Sequence, residues 1–243
     1  MAKNNKKILI LNWKMQPLSL NKALKVIFKI SQLKLKNFDL YFAVPSLYFT
    51  PLKQKFPQLK FGLQNVYPGK TGAVTGEISV AMAKKNKANF VIVGHSERRI
   101  YLKEDLKLIR EKIKSCLEQK MRAIFCFENE NELILIKKEI KRNLNFLILA
   151  YEPSTAISTF GGKPISSLKV LKIKNFAKSL FPKNIFLYGG SVDEKNIKSY
   201  SQIDGFLLGF RSFKVNFVKK IIHSLNSSTS GKFSSKSFGS VIS

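Results

Sequence analysis

The stretch FLILAYEPSTAIST, residues 146–159, sets six residues of nearly unbroken apolar character ahead of a carboxylate, Glu152, and a proline, Pro153. A strand with one wet face alternates apolar and polar residues, whereas a strand covered on both faces reads apolar throughout. FLILAY is of the second kind, which places it in a parallel sheet. Glu152 then stands where the chain leaves that sheet, followed by small hydroxyl residues rather than a tight turn.

The same pattern recurs on either side of this stretch. ILILN (8–12), LYFAV (40–44), LKFGLQ (59–64), FVIVG (90–94), MRAIFC (121–126), NIFLYGG (184–190) and IDGFLLG (203–209) join it to make eight short apolar runs. Between them lie amphipathic stretches of helical period, among them 18–33, 103–119, 130–142, 166–181 and 213–225. Eight strand–helix units in about 200–250 residues are what a (β/α)8 barrel requires. An open doubly wound sheet is the alternative, but nothing like G-x-G-x-x-G follows the first strand.

Composition fits one large domain, with 243 residues of which 44% are hydrophobic. No apolar run approaches the roughly 20 residues that span a bilayer. The apolar run after the N-terminal lysines is only about four residues, too short for a signal peptide, so the reading is a cytoplasmic protein. Two cysteines, Cys116 and Cys126, suit reduced thiols better than a disulfide framework, with Cys126 read as core packing, and two histidines are too few for most metal sites. No metal or other cofactor is expected. A formal net charge of +28 attracts anions, yet the lysines are scattered without a nucleic-acid-binding motif. A drift of the whole composition toward Lys, Ile, Asn and Phe accounts for them equally well. No specific nucleic acid and no membrane partner is expected.

A barrel gathers its active groups just after the strands. Those positions hold Asn12 and Lys14 after the first strand, His95 and Glu97 after the fourth, Glu152 after the sixth, Gly189, Gly190 and Ser191 after the seventh, and Gly209 after the eighth. Singly, each has a plainer reading: an ion-paired loop glutamate, a structural histidine, a surface lysine, an ordinary glycine turn. Their shared placement on one barrel face favours a site.

Six motifs carry a resemblance to the triosephosphate isomerase family: NWKM (12–15), QNVYPGKTGAVTGEIS (64–79), VGHSERR (93–99), AYEP (150–153), YGGSV (188–192) and DGFLLG (204–209). They stand in that family's order over residues 7 to 225. The resemblance implies interconversion of dihydroxyacetone phosphate and glyceraldehyde 3-phosphate through an enediolate, with Glu152 as base and His95 as a neutral electrophile. Ser96 is expected to cap the short helix after the fourth strand. Lys14 would supply positive charge, Asn12 an orienting donor, and Glu97 order to the network. Gly189, Gly190, Ser191, Gly209 and the backbone of Phe210 would hold the phosphate, and residues 153 to 164 would form a lid that brings the Ser158 N–H to it. The resemblance also implies a homodimer in which Thr75, on the long loop 64–79, supports the partner's Asn12 and Lys14.

The chain departs from the family in places. The lid reads STAISTFGGK after Pro153, losing a tryptophan, with Ser154, Thr155, Ser158 and Phe160 in unfamiliar places, and Phe210 stands where a second glycine is usual. The segment 126–152 is short, which implies a reduced fifth helix. The Ser-rich run 226–243 reads as a disordered tail or appended remnant beyond a 1–225 barrel domain. Two alternatives stand beside the isomerase reading: a polyanion- or RNA-binding barrel of reduced activity, and another phosphosugar isomerase.

Overall fold

A computed structural model describes residues 6–36, 38–156 and 161–227. Eight parallel strands close into a barrel in sequence order: β1 (Lys7–Asn12), β2 (Phe38–Val44), β3 (Lys60–Leu63), β4 (Phe90–Val93), β5 (Ala123–Phe127), β6 (Leu147–Tyr151), β7 (Phe186–Tyr188) and β8 (Gly205–Leu208). The last strand returns to the first, pairing Ile8 with Gly205 and Leu11 with Leu208. Around them lie α1 (Leu20–Ser31), α2 (Ser46–Lys55), α3 (Val80–Lys85), α4 (Ser96–Leu102), α5 (Leu106–Glu118), α6 (Glu130–Glu139), α7 (Ser167–Leu180) and α8 (Val215–Asn226). The helix after β5 is ten residues long, and only one turn of 3-10 helix, Ile197–Tyr200, follows β7.

Two cores explain why the strands read apolar on both faces. One residue in two along each strand points inward, so Ile8, Ile10, Tyr41, Ala43, Phe90, Ile92, Ile124, Cys126, Ile148, Ala150, Leu187 and Leu207 fill the barrel interior. The intervening residues, such as Leu9, Phe42, Phe61, Val91, Phe125, Leu149 and Phe206, pack outward against the helices. Burying each such side chain stabilises the fold by about 1.5–3 kcal/mol. β3 contributes Gly62, where a Cβ would meet the Phe90 ring at 2.6 Å, so one large aromatic takes the place of two medium side chains.

α2 lies outside the helices read from sequence because Pro51 interrupts its pattern. The stretch 103–119 resolves into a break and a helix: Lys103, left-handed at φ 56, ends α4, and Asp105 caps α5 by accepting the Leu108 N–H at 2.7 Å. Among the described residues no helix is long and apolar enough to cross a membrane. From residue 228 the Ser-rich run lies outside the described residues.

Candidate active site

The inward parity of the barrel continues past the strand ends and builds the site. On β1 the series 8, 10, 12 puts Asn12 in the mouth, and on β6 the series 148, 150, 152 delivers Glu152 there. By the same count Gly189 follows Leu187 and Gly209 follows Leu207. A cavity of about 1080 Å3 opens over these ends, lined by Asn12, Lys14, His95, Glu97, Gly190, Ser191, Gly209 and Phe210. A recess of about 20 Å3 at its floor adds Glu152, Gly189 and Leu207.

Glu152 and His95 are both nearly inaccessible, at 2% and 6% exposure. Glu152 Oε1 lies 3.5 Å from His95 Nε2. Its backbone N–H donates to the Phe127 carbonyl at 2.9 Å, and the buried Oε2 has no N–H or O–H donor among the described residues. The Cys126 thiol beside it is pushed well above its usual range, first by burial and then by the Glu152 charge. That inert thiol fits core packing, as does Cys116, which burial raises to about 12.

His95, rather than Ser96, is the cap of α4: its Nδ1 accepts the Glu97 N–H at 3.2 Å, while Ser96 Oγ is buried without a hydrogen-bond partner among the described residues. An imidazole nitrogen that accepts carries no proton, so the proton of the neutral ring sits on Nε2, facing Glu152. Arg99 braces the frame behind, donating to the carbonyls of Gly94 at 2.8 Å and Cys126 at 2.7 Å and pairing with both oxygens of Glu132.

Lys14 reaches Glu97 through a short ion pair and stands in the left-handed region at φ 55, a costly conformation for a side-chain-bearing residue. Asn12 Oδ1 accepts its N–H at 3.2 Å, and Gln64 Nε2 donates to its carbonyl at 2.9 Å. Gln64, inside a motif singled out in the sequence, thus joins the site as a support its residue type did not announce.

The glycines after β7 have a reason other than anion approach. A Cβ on Gly189 would meet Glu152 Cγ at 2.6 Å, and one on Gly190 would meet Tyr188 Oη at 2.2 Å. The Gly189 N–H is held by the Tyr151 carbonyl, and the Ser191 N–H by that of Ala156 at 2.7 Å. Gly209 lies against Lys14, its Cβ position 3.6 Å from Nζ. Phe210, 48% exposed, packs edge-on against Phe213 at 5.8 Å, while Arg211 covers the Phe217 ring at 4.6 Å and approaches Glu194 at 3.8 Å. Thr75 stands exposed on the 64–79 loop and does not line its own chain's cavity. Ser158 and Phe160 lie outside the described residues.

A closed parallel barrel with a buried carboxyl group, an imidazole and a lysine at the carboxyl ends of its strands defines an enzyme of the (β/α)8 class. The model of the family "Triosephosphate isomerase" matches residues 7–225. The triosephosphate isomerase of Fusobacterium nucleatum is 33% identical, over 88% of this chain and 97% of its own. That of Clostridium tetani is 32% identical over 90% and 96%, and that of Mycoplasmopsis pulmonis 37% over 65% and 70%. The chain belongs to the triosephosphate isomerase family.

Proposed function

We propose that the chain interconverts dihydroxyacetone phosphate and D-glyceraldehyde 3-phosphate, a step of glycolysis, with Glu152 as the base and His95 as the electrophile. The observation that carries the assignment is the pair itself: His95 Nε2, on the far side of the ring from the Nδ1 that accepts the Glu97 N–H, faces the buried Glu152 side chain at 3.5 Å. This family is itself the standard example of a glutamate base working beside a neutral histidine, and the roles are carried over on that basis.

The chemistry follows from what each group can do. Glu152 removes a proton from the carbon beside the substrate carbonyl and returns it to the neighbouring carbon. Between these transfers the negative charge rests on oxygen, where His95 Nε2–H and the Lys14 ammonium meet it. Burial strengthens both contacts, because few water dipoles compete. Asn12 and Gln64 hold the backbone of Lys14, and Glu97 holds its ammonium, so the charge is in place before the reaction begins. Gly190, Ser191, Gly209 and Phe210 line the cavity on the side formed by the loops after β7 and β8, the usual phosphate position of a barrel.

The working unit is a homodimer in the cytoplasm. Met15 and Leu18 after β1 are each 87% exposed, Leu47 in α2 79% and Tyr101 in α4 64%, apolar side chains of a kind that suits burial against a second copy. That loop is pinched at its neck, where Tyr67 N–H donates to the Ile78 carbonyl at 2.8 Å, and carries Thr75 outward. In the partner's mouth Thr75 would support Asn12 and Lys14.

A coupled assay of triose phosphate interconversion, run beside a nucleic-acid mobility shift at physiological salt, tests the reading. Rapid interconversion with only weak, salt-sensitive nucleic-acid retention is expected. No turnover together with tight, sequence-selective retention would replace it with the binding-protein alternative.

A further inference from the structure

Both backbone polar groups of Ile165 are held by tyrosine hydroxyls. Its N–H donates to Tyr188 Oη at 3.2 Å, and Tyr200 Oη donates to its carbonyl at 2.6 Å. The two rings lie 4.8 Å apart at 40°, and Tyr200 sets its ring edge-on to Phe206 of β8 at 6.5 Å. Tyr200 is only 4% exposed, so its ring belongs to the core while its hydroxyl reaches the chain that leads into α7.

Position makes this contact more than a convenient partner for a buried hydroxyl. Gly162 and Pro164, immediately ahead of Ile165, line the cavity. Ser191 Oγ lies 2.8 Å from the Ala156 carbonyl and 3.0 Å from that of Gly162, so its single proton serves the chain on either side of residues 157–160. Asn196 in turn donates to the Ser191 carbonyl at 3.0 Å. One short loop, 188–200, therefore anchors the stretch 161–165 through the hydroxyls of Ser191, Tyr188 and Tyr200. Of these, Tyr200 fixes the carbonyl directly ahead of Ser166, the cap of α7, where the cavity wall meets that helix.

We propose that Tyr200 is a positioning residue for the reaction inferred above: by holding the Ile165 carbonyl it keeps the wall segment 161–165 seated and water away from the enediolate. The proposal rests on that functional reading. Its chemical consequence is specific. A hydrated enediolate collapses to a carbonyl, its double bond shifts, the carbon–oxygen bond to phosphate breaks, and the electron pair leaves with inorganic phosphate; the three-carbon enol left behind tautomerises to methylglyoxal. No outside oxidant or reductant is needed.

Tyr200→Phe keeps the ring and removes the hydroxyl. In the ligand-free dimer, amide exchange of the peptide covering 161–166 is expected to quicken about fivefold, matching one ordinary hydrogen bond. With substrate, inorganic phosphate released per isomerisation is expected to rise by about the same factor, with kcat/KM lower and Tm little changed. Tyr200→Leu, which also loses packing, should lower Tm and show the same rise in phosphate release. A wild-type chain without isomerase activity overturns the functional reading itself. An active enzyme in which Tyr200→Phe leaves both exchange and phosphate release at wild-type levels overturns the role of Tyr200 alone.

Discussion

The Glu152 side chain occupies the space that any side chain at residue 189 would need: a Cβ built there falls 2.6 Å from Glu152 Cγ and 2.9 Å from Oε1. Gly189→Ala must therefore displace the carboxylate or the loop after β7. A displacement near 1 Å at a reacting group costs up to about 100-fold. Steady-state assays of Gly189→Ala should show kcat reduced at least about tenfold. Unchanged kcat would mean that the carboxylate works from another position.

Glu152→Gln tests the base directly. The amide preserves shape and burial but cannot take up a proton, so kcat should fall by at least ~10²-fold while Tm holds or rises slightly. Full activity in this variant, measured with the two triose phosphates in either direction, would remove Glu152 from the mechanism.

Phe210 stands half exposed at the cavity edge with its ring against Phe213. Any residue except proline offers the same backbone N–H, so the ring itself has little part in holding phosphate. Phe210→Gly should change kcat/KM by less than about tenfold, or roughly 1.4 kcal/mol of transition-state binding. A hundredfold rise would reveal an obstructed phosphate pocket.

Light scattering of the active protein at micromolar concentration should give twice the chain mass, consistent with the exposed Met15, Leu18, Leu47 and Tyr101. A fully active monomer would sever Thr75 from the neighbouring site.

Asp204 anchors the opposite end of the barrel. Burial opposes its charge, but hydrogen bonds from Lys174 at 2.9 Å and the Phe186 N–H at 2.9 Å, with Lys178 at 3.0 Å, hold its pKa below the usual carboxylate value. A depressed pKa gives stability that is full above the unfolded value near 4 and is lost as pH falls through the folded value. Asp204→Asn should cost about 1–2 kcal/mol at pH 7. Chemical denaturation should show that gap closing below about pH 4; a gap independent of pH would assign the loss to packing.

Much of this was legible in the sequence because a barrel strand buried on both faces has nowhere to hide a polar residue. Glu152, Asn12 and His95 stood out at the ends of such strands for that reason. α2 did not, since Pro51 breaks its pattern, and neither did the break at Lys103, whose left-handed turn is set by its surroundings rather than by its residue type. The purpose of Gly189 was hidden as well: it depends on a side chain 37 positions earlier that only the closed barrel brings alongside. Tyr200 carried no pattern at all, being one aromatic among many until its hydroxyl is seen on Ile165.

The pairing of β1 with β8 also sets a timetable for the chain as it is made. Ile8 meets Gly205 so closely that a Cβ there would lie 2.0 Å from the Ile8 carbonyl oxygen, and the register extends to Leu208. At about 5–20 residues per second, a ribosome needs on the order of 10–40 s to deliver that partner. Throughout the interval ILIL is a bare strand edge, the kind of surface on which nascent chains adhere to one another. Lys6 and Lys7 stand directly ahead of it, charges of the kind that keep bare strand edges from pairing with one another.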